Sequence, residues 1–166
     1  MPVPTKEDIL KAADRIRPYL HRTPVLTSEA LNEICGAELY FKCENFQKAG
    51  AFKLRGATNA VFSLGPDELQ KGVATHSSGN HAAALARAAG LKQIPAYIVM
   101  PENSSKVKIE AVKHYGGKIT FCVPTLEARE ETLKMILSQT GAFEIHPYND
   151  YKTIATILNL EEKAVE

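Results

Sequence analysis

The sequence contains no tryptophan, and its three cysteines, Cys35, Cys43 and Cys122, form no C-x-x-C pair and no even-numbered set. They support neither a disulfide framework nor a zinc site, and they indicate free thiols in a reducing cytoplasm. No apolar run approaches the roughly 18 residues that span a bilayer. The N-terminus, M-P-V-P-T-K-E-D, lacks the apolar core of a signal peptide. A net charge of +1 offers no electrostatic basis for binding nucleic acid or an anionic membrane.

What the 166 residues do contain is a regular alternation of strand and helix patterns. A helix over about 55–64 leads into the strand G-V-A-T-H-S, an alanine-rich helix that Gly90 ends, and the strand I-P-A-Y-I-V-M. Next come a helix capped by Ser104 or Ser105 and the strand K-I-T-F-C-V. They are followed by a helix over about 125–139 and the strand A-F-E-I-H-P. This order predicts an α/β fold, a doubly wound parallel sheet of about four strands with helices on both faces.

An N-terminal helical arm precedes this alternation. Thr5 and Asp8 resemble a capping box for a helix that runs up to Pro18. A second short helix is capped by Thr27 or Ser28 and stopped by Gly36. The alternating residues 37–44 predict a strand.

The stretch T-H-S-S-G-N-H, residues 75–81, lies at a predicted strand-to-helix junction. Ligands of doubly wound folds bind at the carboxyl ends of strands, where a helix N-terminus offers free N–H groups and a positive dipole end. Ser77, Ser78 and Gly79 would let the backbone approach an anion closely. The alternative is structural, because Ser and Asn are common helix caps and Gly eases a turn. The residues alone leave both readings open.

Lys53 is held between Phe52 and Leu54 in the stretch K-A-G-A-F-K-L-R-G-A. An apolar setting lowers the pKa of a lysine by desolvation, which frees the amine to attack carbonyl groups. The ordinary alternative is a lysine whose aliphatic stem covers apolar surface while its charge reaches water. The second interpretation is the more common one for a lysine, and nothing in these ten residues overturns it.

Several other chemistries find no support in the sequence. His76 and His81 are five residues apart across a predicted turn, and no cysteine or carboxylate joins them at metal-ligand spacing. The chain contains no G-x-G-x-x-G, P-loop or G-x-S-x-G motif. The lysines of M-P-E-N-S-S-K-V-K, residues 100–108, are interpreted as a solvated face.

Taken together, the stretches A-G-A-F-K-L-R-G-A and H-S-S-G-N-H resemble the threonine/serine dehydratase and serine racemase group of fold-type II enzymes, which depend on pyridoxal phosphate. Further matches are H-R-T-P-V-L-T-S, L-Y-F-K-C-E-N-F-Q, V-M-P-E-N-S-S-K-V-K and H-P-Y-N-D, so the resemblance extends to about residue 150. It implies α,β-elimination of water from serine or threonine, with release of a 2-oxo acid and ammonia. The protonated cofactor acts as the electron sink in such reactions.

The resemblance also implies a role for individual residues. Lys53 would form the Schiff base with the cofactor and act as the base at the substrate Cα. Phe52 would pack near the pyridine ring, and Asn80 would bond to the ring hydroxyl. Ser77 and the backbone amides from Gly79 to His81 would hold the substrate carboxylate, and Arg129 would be a further carboxylate contact. Ser78 matches the position that faces the other side of Cα in racemase-type members.

The resemblance divides the chain into an N-terminal arm belonging to a large domain (1–45), a small α/β domain (46–147) and a short tail (148–166). The tail pattern, with Ile154, Ile157, Leu158 and Ala164 on one side, predicts an amphipathic helix and a truncated large-domain segment. No glycine-rich phosphate loop is present. We therefore expect the chain alone to bind the cofactor weakly, to turn over poorly and to form homo-oligomers.

Two alternatives to a dehydratase remain open at this point. One is a catalytically silent small domain that binds amino-acid carboxylates or pairs with another chain. The other is a serine racemase, for which Ser78 and Lys53 would be the two acid–base groups.

Overall fold

The structure, a computed structural model, describes residues 3–162, with side chains through residue 156. No helix among these residues is both long and apolar enough to cross a membrane. The N-terminal arm comprises α1 (Lys6–Ile16), β1 (Val25–Leu26), α2 (Glu29–Cys35) and β2 (Phe41–Lys42).

The capping signals of the arm predicted both of its helices. The Thr5 side chain accepts from the Asp8 backbone, and the Asp8 carboxylate accepts from the Thr5 backbone, so the predicted capping box forms. Ser28 caps α2, and Gly36 ends it with a φ of 62°. The strand predicted over residues 37–44 is wrong in extent. Only Phe41–Lys42 pairs, antiparallel to a two-residue partner, because the chain turns into a 3-10 helix at Glu44.

The remaining elements alternate as the sequence predicts. They are α3 (Lys53–Phe62), α4 (Pro66–Gln70), β3 (Val73–His76), α5 (Asn80–Leu91), β4 (Ala96–Pro101), α6 (Lys106–His114), β5 (Lys118–Cys122), α7 (Leu126–Thr140), β6 (Phe143–Glu144) and α8 (Tyr151–Glu162). The short helix α4 was missed, although Pro66 is suited to the first turn of a helix and Glu68 accepts the Gly65 amide proton.

Strands β3 to β6 form one parallel sheet in the order β5-β4-β3-β6. Its two faces carry separate clusters of buried side chains. Val73, Ile98 and Met100 pack with α3 and α5 on one face, whereas Ala74 and Val99 pack with α7 on the other. Since alternate residues of a strand point to opposite faces, helices must cover both sides. The predicted doubly wound α/β class is confirmed.

Helix α8 packs against α3 and α1. Asn59 of α3 donates a hydrogen bond of 2.7 Å to the carbonyl oxygen of Lys152. Gly56 faces Thr153 so closely that a Cβ there would lie 2.8 Å from its Cγ2. The tail is therefore helical as predicted. Ile157, Leu158 and Ala164, which belong to its predicted apolar face, have side chains outside the described residues.

Candidate active site

The site lies at the switch point of the sheet. The chain proceeds outward from β3 to β4 and β5, then returns to place β6 on the other side of β3. The carboxyl ends of β3 and β6 are therefore neighbours, and such a point is where doubly wound folds bind ligands. The loop after β3 contains Ser77, Ser78 and Gly79, and the loop after β6 contains His146 and Pro147.

Lys53, the first residue of α3, reaches the loop after β6. Its Nζ donates a hydrogen bond of 2.7 Å to the carbonyl oxygen of Pro147, 94 residues away in the sequence. Burial lowers the pKa of Lys53. No carboxylate in the described part of the chain pairs with this amine. The aromatic ring of Phe52 lies beside it, with 5.3 Å between Nζ and the ring centroid.

The first turn of α3 is fixed by a buried ion pair. Arg55 donates through Nε and Nη2 to the two carboxylate oxygens of Glu44, at 2.8 and 2.7 Å. The side chains are only 10% and 11% exposed. Thr23 also donates to Glu44. This bidentate ion pair joins the N-terminal arm to the first turn of α3. It therefore holds the backbone of Lys53 in a fixed position.

The loop before α5 is built as the sequence suggests. Ser77 donates its amide to Val99 of the neighbouring strand, and its Oγ accepts from the Gly79 amide at 3.3 Å. Gly79 is the N-cap of α5, and the exposed Asn80 begins the helix. The first amides of a helix have no partner within it, so this turn presents N–H groups at the switch point.

The side chain of His81 points into the protein, which leaves its backbone amide as the group expected to contact the substrate. It is 3% exposed, and its Nε2 lies 3.3 Å from the carbonyl oxygen of Ile145. Burial first, and the charge of Lys53 to a smaller extent, lower the pKa of His81 to about 4, although the contact with the Ile145 carbonyl raises it. The ring is therefore neutral, and it joins α5 to the end of β6. What His81 offers to the loop surface is its backbone amide.

Ser78 and Arg129 line one pocket of about 310 Å³. Arg129, on α7, is half-buried and donates through Nε to its own helix at Thr125. Lys108 of α6 also lines the pocket, and its Nζ lies 3.5 Å from where a Cβ on Gly79 would be. The sequence predicts that Lys108 belongs to a solvated face, and its side chain is exposed, but no residue pattern indicates that it lines this pocket.

The loop after β6 contains H-P-Y-N-D, a stretch that the sequence matched to the resemblance without giving its residues a role. His146 Nδ1 accepts from the amides of Tyr148 and Asn149, at 3.3 and 2.9 Å. Because two N–H groups point at Nδ1, that nitrogen carries no proton. The ring lies edge-on to His76, with centroids 6.1 Å apart. No group of three His, Cys, Asp or Glu among the described residues is arranged to hold a metal ion.

The structure thus brings Lys53, Phe52, His81 and the S-S-G-N-H loop to one end of the sheet. Ser78 connects that loop to the pocket that holds Arg129. The roles expected of these residues remain predictions.

Comparison with known proteins gives a consistent match. The family model described as "Pyridoxal-phosphate dependent enzyme" matches residues 16–159. The chain is 54% identical over 155 residues to a β-hydroxyaspartate dehydratase of Paracoccus denitrificans, covering 93% of this chain and 49% of that protein. It is 56% identical over 147 residues to a serine racemase of Arabidopsis thaliana, covering 89% and 44%. Maize serine racemase superposes with a TM-score of 0.94 at 48% identity, covering 99% and 51%. The chain therefore spans about half the length of the relatives it matches.

Proposed function

Because the chain belongs to the family of pyridoxal-phosphate dependent enzymes, we propose that it serves as an ammonia-lyase of the threonine/serine dehydratase type. Family membership confirms the resemblance seen in the sequence and confirms pyridoxal phosphate as the cofactor. The proposed substrate is a β-hydroxy amino acid, which loses water across the Cα–Cβ bond. The enamine that results tautomerises to an imine, and hydrolysis of the imine takes up one water and gives a 2-oxo acid and ammonia. The dehydratase relative from Paracoccus supports this reaction type.

The observation that carries the proposal is the setting of Lys53. Its amine is half-buried, has a lowered pKa, and bonds to a neutral carbonyl group rather than to a carboxylate. A lysine that only covers apolar surface would extend its charge into water. An amine held in this way is suited to bond covalently to a carbonyl carbon.

The residues present fit the cofactor at the end that reacts. Lys53 would hold it covalently, Phe52 would lie beside the ring, and the exposed amide of Asn80 would bond to the ring hydroxyl. When bound, pyridoxal phosphate supplies an electron sink for the bonding pair left at the substrate Cα.

Side chains and backbone amides of the chain bind the substrate and transfer its proton. Ser77 and the amides of Gly79 and His81 hold the substrate carboxylate, as the free N–H groups of a helix N-terminus favour. Arg129 adds a cation at the edge of the same loop. The amine of Lys53 takes the proton from Cα, and the β-hydroxyl group leaves as water. The lowered pKa of Lys53 supports its role as the base.

A second candidate function is amino-acid racemisation. It requires two groups that exchange protons with Cα from opposite faces. The half-buried Ser78 supplies a hydroxyl group at the pocket beside the loop, and Lys53 supplies the amine. The 56% identity to a plant serine racemase favours this candidate specifically.

The proposal is tested by incubating the purified chain with pyridoxal phosphate, reducing with borohydride and mapping the modified peptide. We expect the label on Lys53 in the wild type and none at that peptide in Lys53→Ala. The matched control is Lys48→Ala, because Lys48 lies nearby and donates to the Tyr19 carbonyl instead. A label on Lys48 in place of Lys53 would refute the assignment.

Activity then separates the candidates. A lyase forms 2-oxobutanoate from threonine or pyruvate from serine, whereas a racemase exchanges the serine enantiomers without net loss. Ser78→Ala should abolish racemisation before it affects elimination. If Lys53 is labelled but neither reaction is detected, both enzymatic functions are refuted. The chain is then a catalytically silent domain that binds amino-acid carboxylates. A mass measurement in solution tests the expected homo-oligomer.

A further inference from the structure

The loop after β6 accepts a hydrogen bond from each of two helices that begin at the site. The carbonyl oxygen of Pro147 accepts from the amine of Lys53, the first residue of α3, at 2.7 Å. Two positions earlier, the carbonyl oxygen of Ile145 lies 3.3 Å from Nε2 of His81, in the first turn of α5. The short segment 145–147 is therefore held by both helices at once.

The chemistry of the ring defines the contact of His81 with this segment. A carbonyl oxygen can only accept, so Nε2 carries the proton of the ring. Burial above all holds the pKa of His81 at about 4, so the ring is neutral and Nδ1 can only accept. Nδ1 is buried and has no hydrogen-bond partner among the described residues. His81 thus uses one of its two ring nitrogens, and that nitrogen joins α5 to Ile145.

Packing alone does not explain a histidine at this position. The residue is 3% exposed, and its neighbours on α5 are buried alanines. A buried acceptor without a partner costs stability, and a leucine would fill a similar space without that cost. What an imidazole supplies here, and a leucine cannot, is the N–H group that Ile145 accepts. Departures of this kind from the packing rules are expected at functional sites.

Ile145 is placed to pass the restraint on to the lysine. Its amide donates to the Ala74 carbonyl at 2.9 Å and continues the pairing of β6, which is only two residues long. A strand end with so few bonds opens easily unless a further contact holds it. We propose that His81 is a positioning residue, whose side chain holds the end of β6 so that the Pro147 carbonyl stays on the Lys53 amine. This inference rests on the proposed function for the role of Lys53 as the reactive amine.

The experiment compares two amide side chains at position 81. His81→Gln places an N–H donor at about the distance of Nε2 from the backbone. His81→Asn is one methylene shorter, so its amide reaches only to the place of Nδ1. Both variants keep the backbone amide. The probe is formaldehyde with cyanoborohydride, without the cofactor, and the measurement is the ratio of the methylation rates of Lys53 and the exposed Lys106 at pH 7.

We expect His81→Gln to keep the wild-type ratio and His81→Asn to lower it about fivefold, the factor that one neutral hydrogen bond contributes. Hydrogen exchange at the amides of Tyr148 and Asn149 should accelerate by a similar factor in His81→Asn alone. Equal ratios in the wild type and both variants would overturn the proposal. A loss in His81→Gln as large as in His81→Asn would also overturn it, because the donor would then not matter.

Two further measurements separate positioning from packing. Val112→Ala loosens the core cluster that contains Ile145 but leaves the His81 donor in place, so it should lower stability and keep the wild-type ratio. A fall in its ratio equal to that of His81→Asn would refute a specific role for the ring. The ring ¹⁵N shifts of His81 in the wild type need no variant. They should show a neutral ring with the proton on Nε2, and a proton on Nδ1 would contradict the proposal.

The two proposals fail separately. If borohydride does not label Lys53 in the wild type, the proposed chemistry is wrong, whereas the methylation ratios still decide the role of His81. If Lys53 is labelled and its ratio does not depend on the residue at position 81, the chemistry stands and the positioning role is refuted.

Discussion

The amine of Lys53 donates to the carbonyl oxygen of Pro147, a contact of 2.7 Å that joins the start of α3 to the end of β6. A neutral acceptor leaves the positive charge uncompensated, whereas a carboxylate would stabilise it. Burial then lowers the pKa of the lysine without opposition. The contact therefore orients the amine and keeps it available as a base.

Lys53 should react with an aldehyde at a lower pH than other lysines of the chain. A lowered pKa increases the fraction of neutral amine at every pH below the ordinary value, and only the neutral amine attacks. Reductive methylation followed by peptide mapping as a function of pH measures this. The exposed Lys106 is the internal reference. Coincident profiles for the two residues would show that the burial of Lys53 has no chemical effect.

Replacing His146 should disturb the loop that presents the Pro147 carbonyl. His146→Ala removes the acceptor of two amide protons, each worth about 1 kcal/mol, so hydrogen exchange at Tyr148 and Asn149 should accelerate on the order of tenfold. His146→Asn is the rescue variant, because an Asn carbonyl can accept from amides two residues ahead. If both variants exchange at the wild-type rate, Nδ1 does not hold the loop.

Breaking the ion pair between Glu44 and Arg55 should cost far more stability than an exposed pair. Glu44→Gln leaves the buried guanidinium of Arg55 without a carboxylate partner. We expect the free energy of unfolding to fall by about 3–5 kcal/mol. Glu110→Gln, which breaks the exposed pair with Lys113, should change it by less than about 1 kcal/mol. Denaturant titrations of both variants provide the comparison, and similar losses would contradict the prediction.

The same pair sets a pH dependence. Burial raises the pKa of Glu44, but hydrogen bonds from Arg55 and Thr23 outweigh it and hold that pKa below the ordinary 4.5. A depressed carboxyl pKa contributes stability that is present above the unfolded value and lost as the pH falls through the folded one. The wild type should therefore lose stability below pH 4.5 more steeply than Glu44→Gln does.

Gly56→Ala should destabilise the protein by disturbing the packing of α3 against α8. The added Cβ would lie 2.8 Å from Thr153 Cγ2 and 3.2 Å from the Thr153 carbonyl oxygen. Such overpacking costs about 1–3 kcal/mol, which exceeds the gain of about 1 kcal/mol in helix propensity. Gly90→Ala is the control, because its Cβ would have only an ordinary 3.6 Å neighbour. It should stabilise the chain by up to about 1 kcal/mol, and equal effects of the two variants would show that no close approach exists.

The elements that the sequence predicted well are those specified by neighbouring residues. Thr5 and Asp8 fix the start of α1, and Ser28 and Gly36 fix the two ends of α2. Each does so through a contact with a residue at most four positions away. The strand over 37–44 failed because its extent depends on β1, whose two residues offer partners for only two others. Alternation shows which face a residue takes in a strand, but a partner decides where the strand ends.

The site was predictable to the extent that it follows from the order of the strands. A doubly wound sheet places the S-S-G-N-H loop at its carboxyl edge, and that loop was identified from its residues. Pro147 could not be found in this way, since any residue can offer a backbone carbonyl. Lys108 has no local signal either, and only the approach of α6 to Gly79 gives it a role.

The position of β6 has a consequence for how the chain acquires its chemistry. β6 pairs with β3 at only two positions and follows the other three strands of this sheet in the sequence. Until residues 143–147 have joined the sheet, Lys53 has no acceptor and stays an ordinary hydrated lysine. Before that pairing forms, Lys53 should react with aldehydes no faster than an exposed lysine does. The selectivity of this amine therefore depends on the short pairing between β6 and β3.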